Sequence, residues 1–249
     1  MERRKFWDII ILILVFIASV MFPVNLITND ALIRIIVRIS LLIFFIAFTI
    51  VFAYVTKIAH LFQGKINLKN TLLLLPLFAI AFCNLFYLTV IQKGTVGFIW
   101  NLEFALYILL SLLTAFAEEL LFRFVIQKNL QFQSRLVKIL IASAIFAACH
   151  IFTIISYWDL TNPASWNWFD LSMLGYTFFI GVCLGFLYEY TNNLLLPIAF
   201  HFTFNLINSV WFAVSEWSIP YLINCLCFAI YGIAYICLFY FVFTKRENR

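Results

Sequence analysis

The chain has 249 residues, of which 65% are hydrophobic and only 11% charged, with a formal net charge of +5. An average soluble domain is about half apolar and about a quarter charged, so this chain has too few polar residues to clothe a soluble core of its size. The basic excess is accounted for by where the lysines and arginines fall, and it calls for no nucleic-acid partner.

Apolar runs recur from end to end. A helix needs about 20 apolar residues to cross the hydrocarbon of a bilayer. Eight runs qualify, at roughly 7–28, 34–56, 71–91, 102–127, 138–157, 171–190, 194–214 and 220–243. The expectation is an all-α polytopic protein: residues 1–249 form one integral membrane domain, a bundle of eight transmembrane helices with the active site inside it. The first run follows MERRKFWD and lacks a clean small-x-small cleavage site, so it reads as a retained span rather than a signal peptide. Arg34 and Arg38, four apart at the start of the second run, share one face. They either snorkel to the interface or line the bundle.

Basic residues fall in alternate loops. Arg3, Arg4 and Lys5 precede the first span, and Lys57, Lys65 and Lys69 lie between the second and third. Lys128, Arg135 and Lys138 lie between the fourth and fifth, and Lys245, Arg246 and Arg249 follow the last. The opposite loops carry Asp30, Asp159, Asp170 and Glu216, with Lys93 as their one clear basic residue. Both termini are therefore expected in the cytoplasm. The outward loop 157–170 carries Trp158, Trp166 and Trp168, which suit an interfacial belt. The six cysteines all lie in apolar segments and make neither a disulfide framework nor a paired CxxC metal site.

An ionisable group inside a bilayer costs upward of about 3 kcal/mol, so each one needs a reason. Glu118, Glu119, Arg123, His150, His201 and Asn205 qualify. Glu118 lies about 15 Å inward of Lys128, His150 about 18 Å inward of Lys138 and His201 about 12 Å inward of the polar TNN stretch that ends at Asn193, at about 1.5 Å per residue. Three helices thus place polar groups in one slab. Glu119 and Arg123 are four apart and can pair, while Glu118 lies about 100° around the helix, free to point elsewhere. Phe146 and His150 are four apart, as are His201 and Asn205. A lone Glu–Arg pair or a lone helical histidine is often structural; it is their convergence at one depth that points to chemistry.

A carboxylate and an imidazole can activate a water, the carboxylate acting as general base. An imidazole and an amide can hold a developing oxyanion. Peptide hydrolysis needs both functions. No GxSxG is present, and Cys149 beside His150 reads as a packing residue. Glu118, His150 and His201 also match the one-carboxylate, two-imidazole ligand set of a catalytic zinc site. The residues alone leave open whether a divalent metal such as zinc holds the water or Glu and His hold it unaided.

Glu118–Arg123, EELLFR, resembles the EExxxR motif of the CPBP family, the CAAX-protease and bacteriocin-processing intramembrane proteases. Phe146–His150, FAACH, looks like its FxxxH motif, and His201–Asn205, HFTFN, like its HxxxN motif. GVCLGFLYEYTNNLLLPIAFH resembles the family's Gly-rich helix and the Asn-Leu-x-x-Pro entry to the third motif. The resemblance spans roughly residues 100–210. It implies Glu118 as general base, His150 as its partner on the water, and His201 with Asn205 as the oxyanion site. Glu119 and Arg123 would support them, with Phe146 completing its motif. The family is described both as metalloproteases and as metal-independent glutamate proteases. It implies a membrane-embedded peptide or protein substrate, with prenylated tails, pheromone precursors or bacteriocin leaders as candidates. A bacterial cell membrane fits the short loops. The competing readings are a non-catalytic bacteriocin-immunity or scaffold protein and, with less support, a transporter. Gly181 and Gly185 read as a GxxxG packing pair.

Overall fold

The computed structural model describes residues 3–20, 30–56, 68–75, 77–79, 102–157 and 171–209, together with positions 22, 24, 28, 66, 162, 226, 227, 229, 230, 232–234 and 237. Among these residues all regular structure is helical. The elements are α1 (Arg3–Val20), α2 (Ala31–Val55), α3 (Leu68–Leu72), α4 (Leu102–Glu119), a π-helical continuation (Leu120–Gln127), α5 (Arg135–Cys149), α6 (Ile151–Tyr157), α7 (Ser172–Thr191) and α8 (Leu195–Ser209).

Four segments are long and apolar enough to cross a membrane: Ala31–Val55, Leu102–Gln127, Arg135–Ile155 and Ser172–Thr191. Phe6–Val20 and Leu195–Leu206 are apolar but shorter. These six correspond to six of the eight expected spans. Most of 71–91 and of 220–243 lies outside the described residues, as do His60, Lys93, the Trp-rich loop, Glu216 and the basic C-terminus.

Local chemistry sets the boundaries. α2 begins at Ala31 because the Asp30 carboxylate caps it, accepting from the Ile33 N–H at 3.0 Å. Arg38 is exposed on the outer face of that helix, so it does not line the bundle. Ser134 caps α5 through the Val137 N–H at 3.4 Å. α7 stops at Asn192, which takes the left-handed conformation (φ 47°) and donates its N–H to Tyr188 O at 2.7 Å. Asn193 Oδ1 then accepts from the Leu195 N–H at 2.9 Å. The two asparagines thus fold a tight corner between α7 and α8. Pro197 lies in the first turn of α8, where its missing N–H costs little. Ser143, Thr177, Thr191 and Thr203 each return a hydroxyl hydrogen bond to the carbonyl four residues back, so they need no partner in an apolar setting.

The π-helical segment and α7 form the centre. All eight residues of Leu120–Gln127 are buried, as are residues 180–188 of α7. α7 has no separate polar face, and its middle is enclosed while its ends are half-buried. α5 packs most extensively on α7, α8 on α4, and α2 on both α4 and α1. The α5–α7 contact is close because of two glycines. A Cβ on Gly181 would stand 3.1 Å from Ser143 Cβ and 3.2 Å from Phe146 Cδ1, and one on Gly185 would stand 2.8 Å from Ile139 Cγ2. The GxxxG reading is met by backbone-close packing. Around this centre, α1, α2 and α4 turn Leu14, Ile43, Phe44, Val51 and Leu109 outward, as a lipid-facing surface requires.

Candidate active site

Glu118 and Glu119 close α4, where the helix widens from α to π geometry. The N–H of Lys128 bonds back to Arg123 O, five residues away. Glu119 and Arg123 are fully buried and pair through Arg123 Nε and Glu119 Oε2 at 3.0 Å. The expected pairing across one turn is present. The other oxygen of Glu119 has a second partner: His201 Nδ1 on α8 lies 2.9 Å from Glu119 Oε1. Glu118 does not point away from this group. Its Oε2 lies 3.5 Å from His201 Nε2, an ion-pair distance too long for a good hydrogen bond. The two carboxylates therefore flank one imidazole, one at each nitrogen. Adjacent side chains diverge around a helix, but an imidazole lying along it meets both, because its nitrogens sit on opposite sides of the ring.

His150 ends α5. Its backbone N–H bonds to Ala147 O at 3.0 Å, three residues back, and its side-chain Nδ1 takes Phe146 O at 2.9 Å. Imidazole has replaced amide as the donor to that carbonyl. The helix breaks into α6 at this turn, and the tautomer is set with Nδ1–H donating and Nε2 left for other work. The Phe146 ring joins the site together. It stands 4.7 Å from the His150 ring, 6.0 Å from the His201 ring and 5.4 Å from Arg123 Cζ. Behind it, Phe122, Phe16 and Phe45 continue an edge-to-face series at 5.0, 5.4 and 5.3 Å. Asn205, one turn beyond His201, is partly buried. Cys149 is a buried free thiol.

The residues singled out from the sequence are thus gathered as follows. Glu118, Glu119, Arg123 and His201 form one contact network, His150 joins it through Phe146, and Asn205 lies one turn beyond His201 on α8. The three-ligand metal set fares differently. Among the described residues no group of three or more His, Cys, Asp and Glu side chains is gathered to hold a metal. Both His201 nitrogens face carboxylates, and His150 Nδ1 is engaged by a carbonyl. Glu118, His150 and His201 are thus not gathered into a three-donor metal set.

One residue of this region was missed in the sequence. Gln127, fully buried, donates from Nε2 to Gly185 O at 3.0 Å and to Glu189 Oε2 at 3.4 Å. Its signal was present: a polar side chain closing an apolar run, four residues after Arg123. A search for charges passes over an amide. Beyond it, burial pushes the Lys128 amine below the usual lysine range, with the Phe124 ring 5.4 Å from Nζ.

No curated protein matches the chain. Residues 99–207 match the family described as type II CAAX prenyl endopeptidase Rce1-like. The matched stretch contains every motif position that contributes to the network. Over residues 99–207, somewhat under half of its length, the chain is similar to that family.

Proposed function

We propose that the protein is an intramembrane endopeptidase that hydrolyses a peptide bond in a membrane-associated or lipidated peptide, using a water activated by Glu118 and His150. The observation that carries this reading is the buried network itself: two carboxylates flanking His201, with Arg123 compensating one of them, inside the apolar segment 102–127. Arg123 neutralises Glu119, so Glu118 is the carboxylate left for proton transfer.

In the proposed reaction Glu118 takes a proton from water while His150 Nε2 orients it. The water oxygen adds to the scissile carbonyl carbon. The carbonyl oxygen gains negative charge and is held by the Nε2–H of a His201 ring protonated at both nitrogens and by the Asn205 amide. Glu119 fixes the His201 ring by accepting at Nδ1. The proton on Glu118 then passes to the nitrogen as the C–N bond breaks, leaving a carboxylic acid and an amine. The surrounding fold is proposed as a single membrane domain of eight helices with both termini cytoplasmic, in a bacterial cell membrane. Prenylated C-terminal tails are the substrate class the family description favours.

Purified Glu118→Gln protein, reconstituted with a lipidated peptide, should lose about 10²–10⁴-fold in cleavage rate while keeping its unfolding midpoint. Cleavage at the wild-type rate would sink the mechanism. A cellular phenotype that survives Glu118→Gln would identify an immunity or scaffold role instead.

A further inference from the structure

Inside the bundle, Gln127 Oε1, Arg123 Nη1, Arg123 Nη2 and Glu118 Oε2 are buried and have no hydrogen-bond partner among the described residues. They lie on one continuous helix and are complementary in kind: an acceptor at 127, two donor nitrogens at 123 and an acceptor at 118. Their residues are four and five apart, about one helical turn each, so they follow one side of the helix. Buried polar groups left unmatched are costly. Ordered waters occupy sites where such groups converge.

The file also has an outer end. Gln127 Nε2 reaches Glu189 Oε2 at 3.4 Å, and Glu189 Oε1 lies 3.8 Å from Arg135 Nε. Exposure of these side chains rises from 0% at Gln127 to 25% at Glu189 and 60% at Arg135. The inner end is Glu118, against His201. Polar side chains are therefore spaced from the exposed start of α5 to the network, along a buried helix whose other residues are Phe, Leu, Ile and Val. Gly185 helps keep the file open, because a Cβ there would stand 3.0 Å from Gln127 Oε1.

We propose that Gln127, Arg123 and Glu118 line a row of internal water sites by which water reaches Glu118 from the Lys128 end of the helix. This inference rests on the hydrolytic reading of the site. Each bond cut consumes one water: its OH joins the acyl carbon and its other hydrogen joins the amine. The surrounding hydrocarbon does not supply that water.

The test is hydroxyl-radical footprinting by X-ray pulse on the full chain in nanodiscs, with bulk water exchanged to the 18O form shortly before the pulse. Phe122 and Phe124 should be labelled despite their burial, and the label should carry 18O. Phe45, equally buried but away from the file, should not be labelled. Gln127→Leu should abolish the label and lower kcat about tenfold at unchanged KM. Gly185→Ala, which presses on Gln127 Oε1 without removing its polar groups, provides a second variant and should lower both readouts in parallel. In wild-type protein, labelling of Phe122 and Phe124 no greater than Phe45, or label without 18O on the timescale of turnover, overturns the proposal. Exchangeable label in a protein that cleaves nothing supports the water sites and defeats the hydrolytic reading. Cleavage without label does the reverse.

Discussion

Glu119 serves two partners at once, with Oε2 on Arg123 and Oε1 on His201. Removing its charge leaves a fully buried guanidinium uncompensated. Glu119→Gln is expected to destabilise the protein by about 3–5 kcal/mol, read as a lower unfolding midpoint in detergent. Adding Arg123→Met to that variant should recover much of the loss, because the stranded charge goes with it. Catalysis should not return with stability, since His201 loses the acceptor that orients it. The pairing of Glu119 with Arg123 was legible from their spacing alone, because i and i+4 meet on any helix. The bond from Glu119 to His201 was not, because the two are 82 residues apart and meet only when α8 packs on α4. The approach of Glu118 to the same imidazole was hidden for the same reason: helix geometry gives a direction for each side chain but not what stands in that direction.

At the scale of elements, the site depends on how close α5 and α7 come. Gly181 is pressed against the Phe146 ring, which in turn packs on both histidines and on Arg123. Gly181→Ala should cost about 1–3 kcal/mol through overpacking. Its effect on kcat should exceed its effect on KM, because the displaced ring moves the catalytic histidines rather than a substrate surface. Trimming the ring with Phe146→Leu in the same chain should restore part of the lost stability in an unfolding assay. The glycine spacing announced close packing, and the structure names Ser143, Phe146 and Ile139 as what it packs against. Two features of the elements had no sequence signal. One is the run of π-helical turns after Glu119, which periodicity does not register. The break at His150 arises because a side chain takes over a backbone hydrogen bond, and a histidine in an apolar run does not advertise that exchange.

For the whole molecule, the lysine distribution makes a topological prediction. A membrane-impermeant amine reagent applied to sealed inverted vesicles should modify Lys57, Lys65, Lys69 and Lys245, and applied to intact cells should modify Lys93. The opposite pattern, read by peptide mass spectrometry, would invert the proposed orientation. The membrane class and the helical nature of the chain were carried by composition, because a bilayer rejects unpaired backbone and selects long apolar helices. The family resemblance followed from three short motifs, because residue type and spacing within one helix are local properties. Which carboxylate is neutralised, which nitrogen of His201 each one faces, the failure of Glu118, His150 and His201 to assemble as a metal set, and the part played by Gln127 all depended on how the helices assemble. Those relations join residues on different helices, or a side chain to a distant backbone atom. Their distances are set by helix packing, which no single stretch of sequence contains.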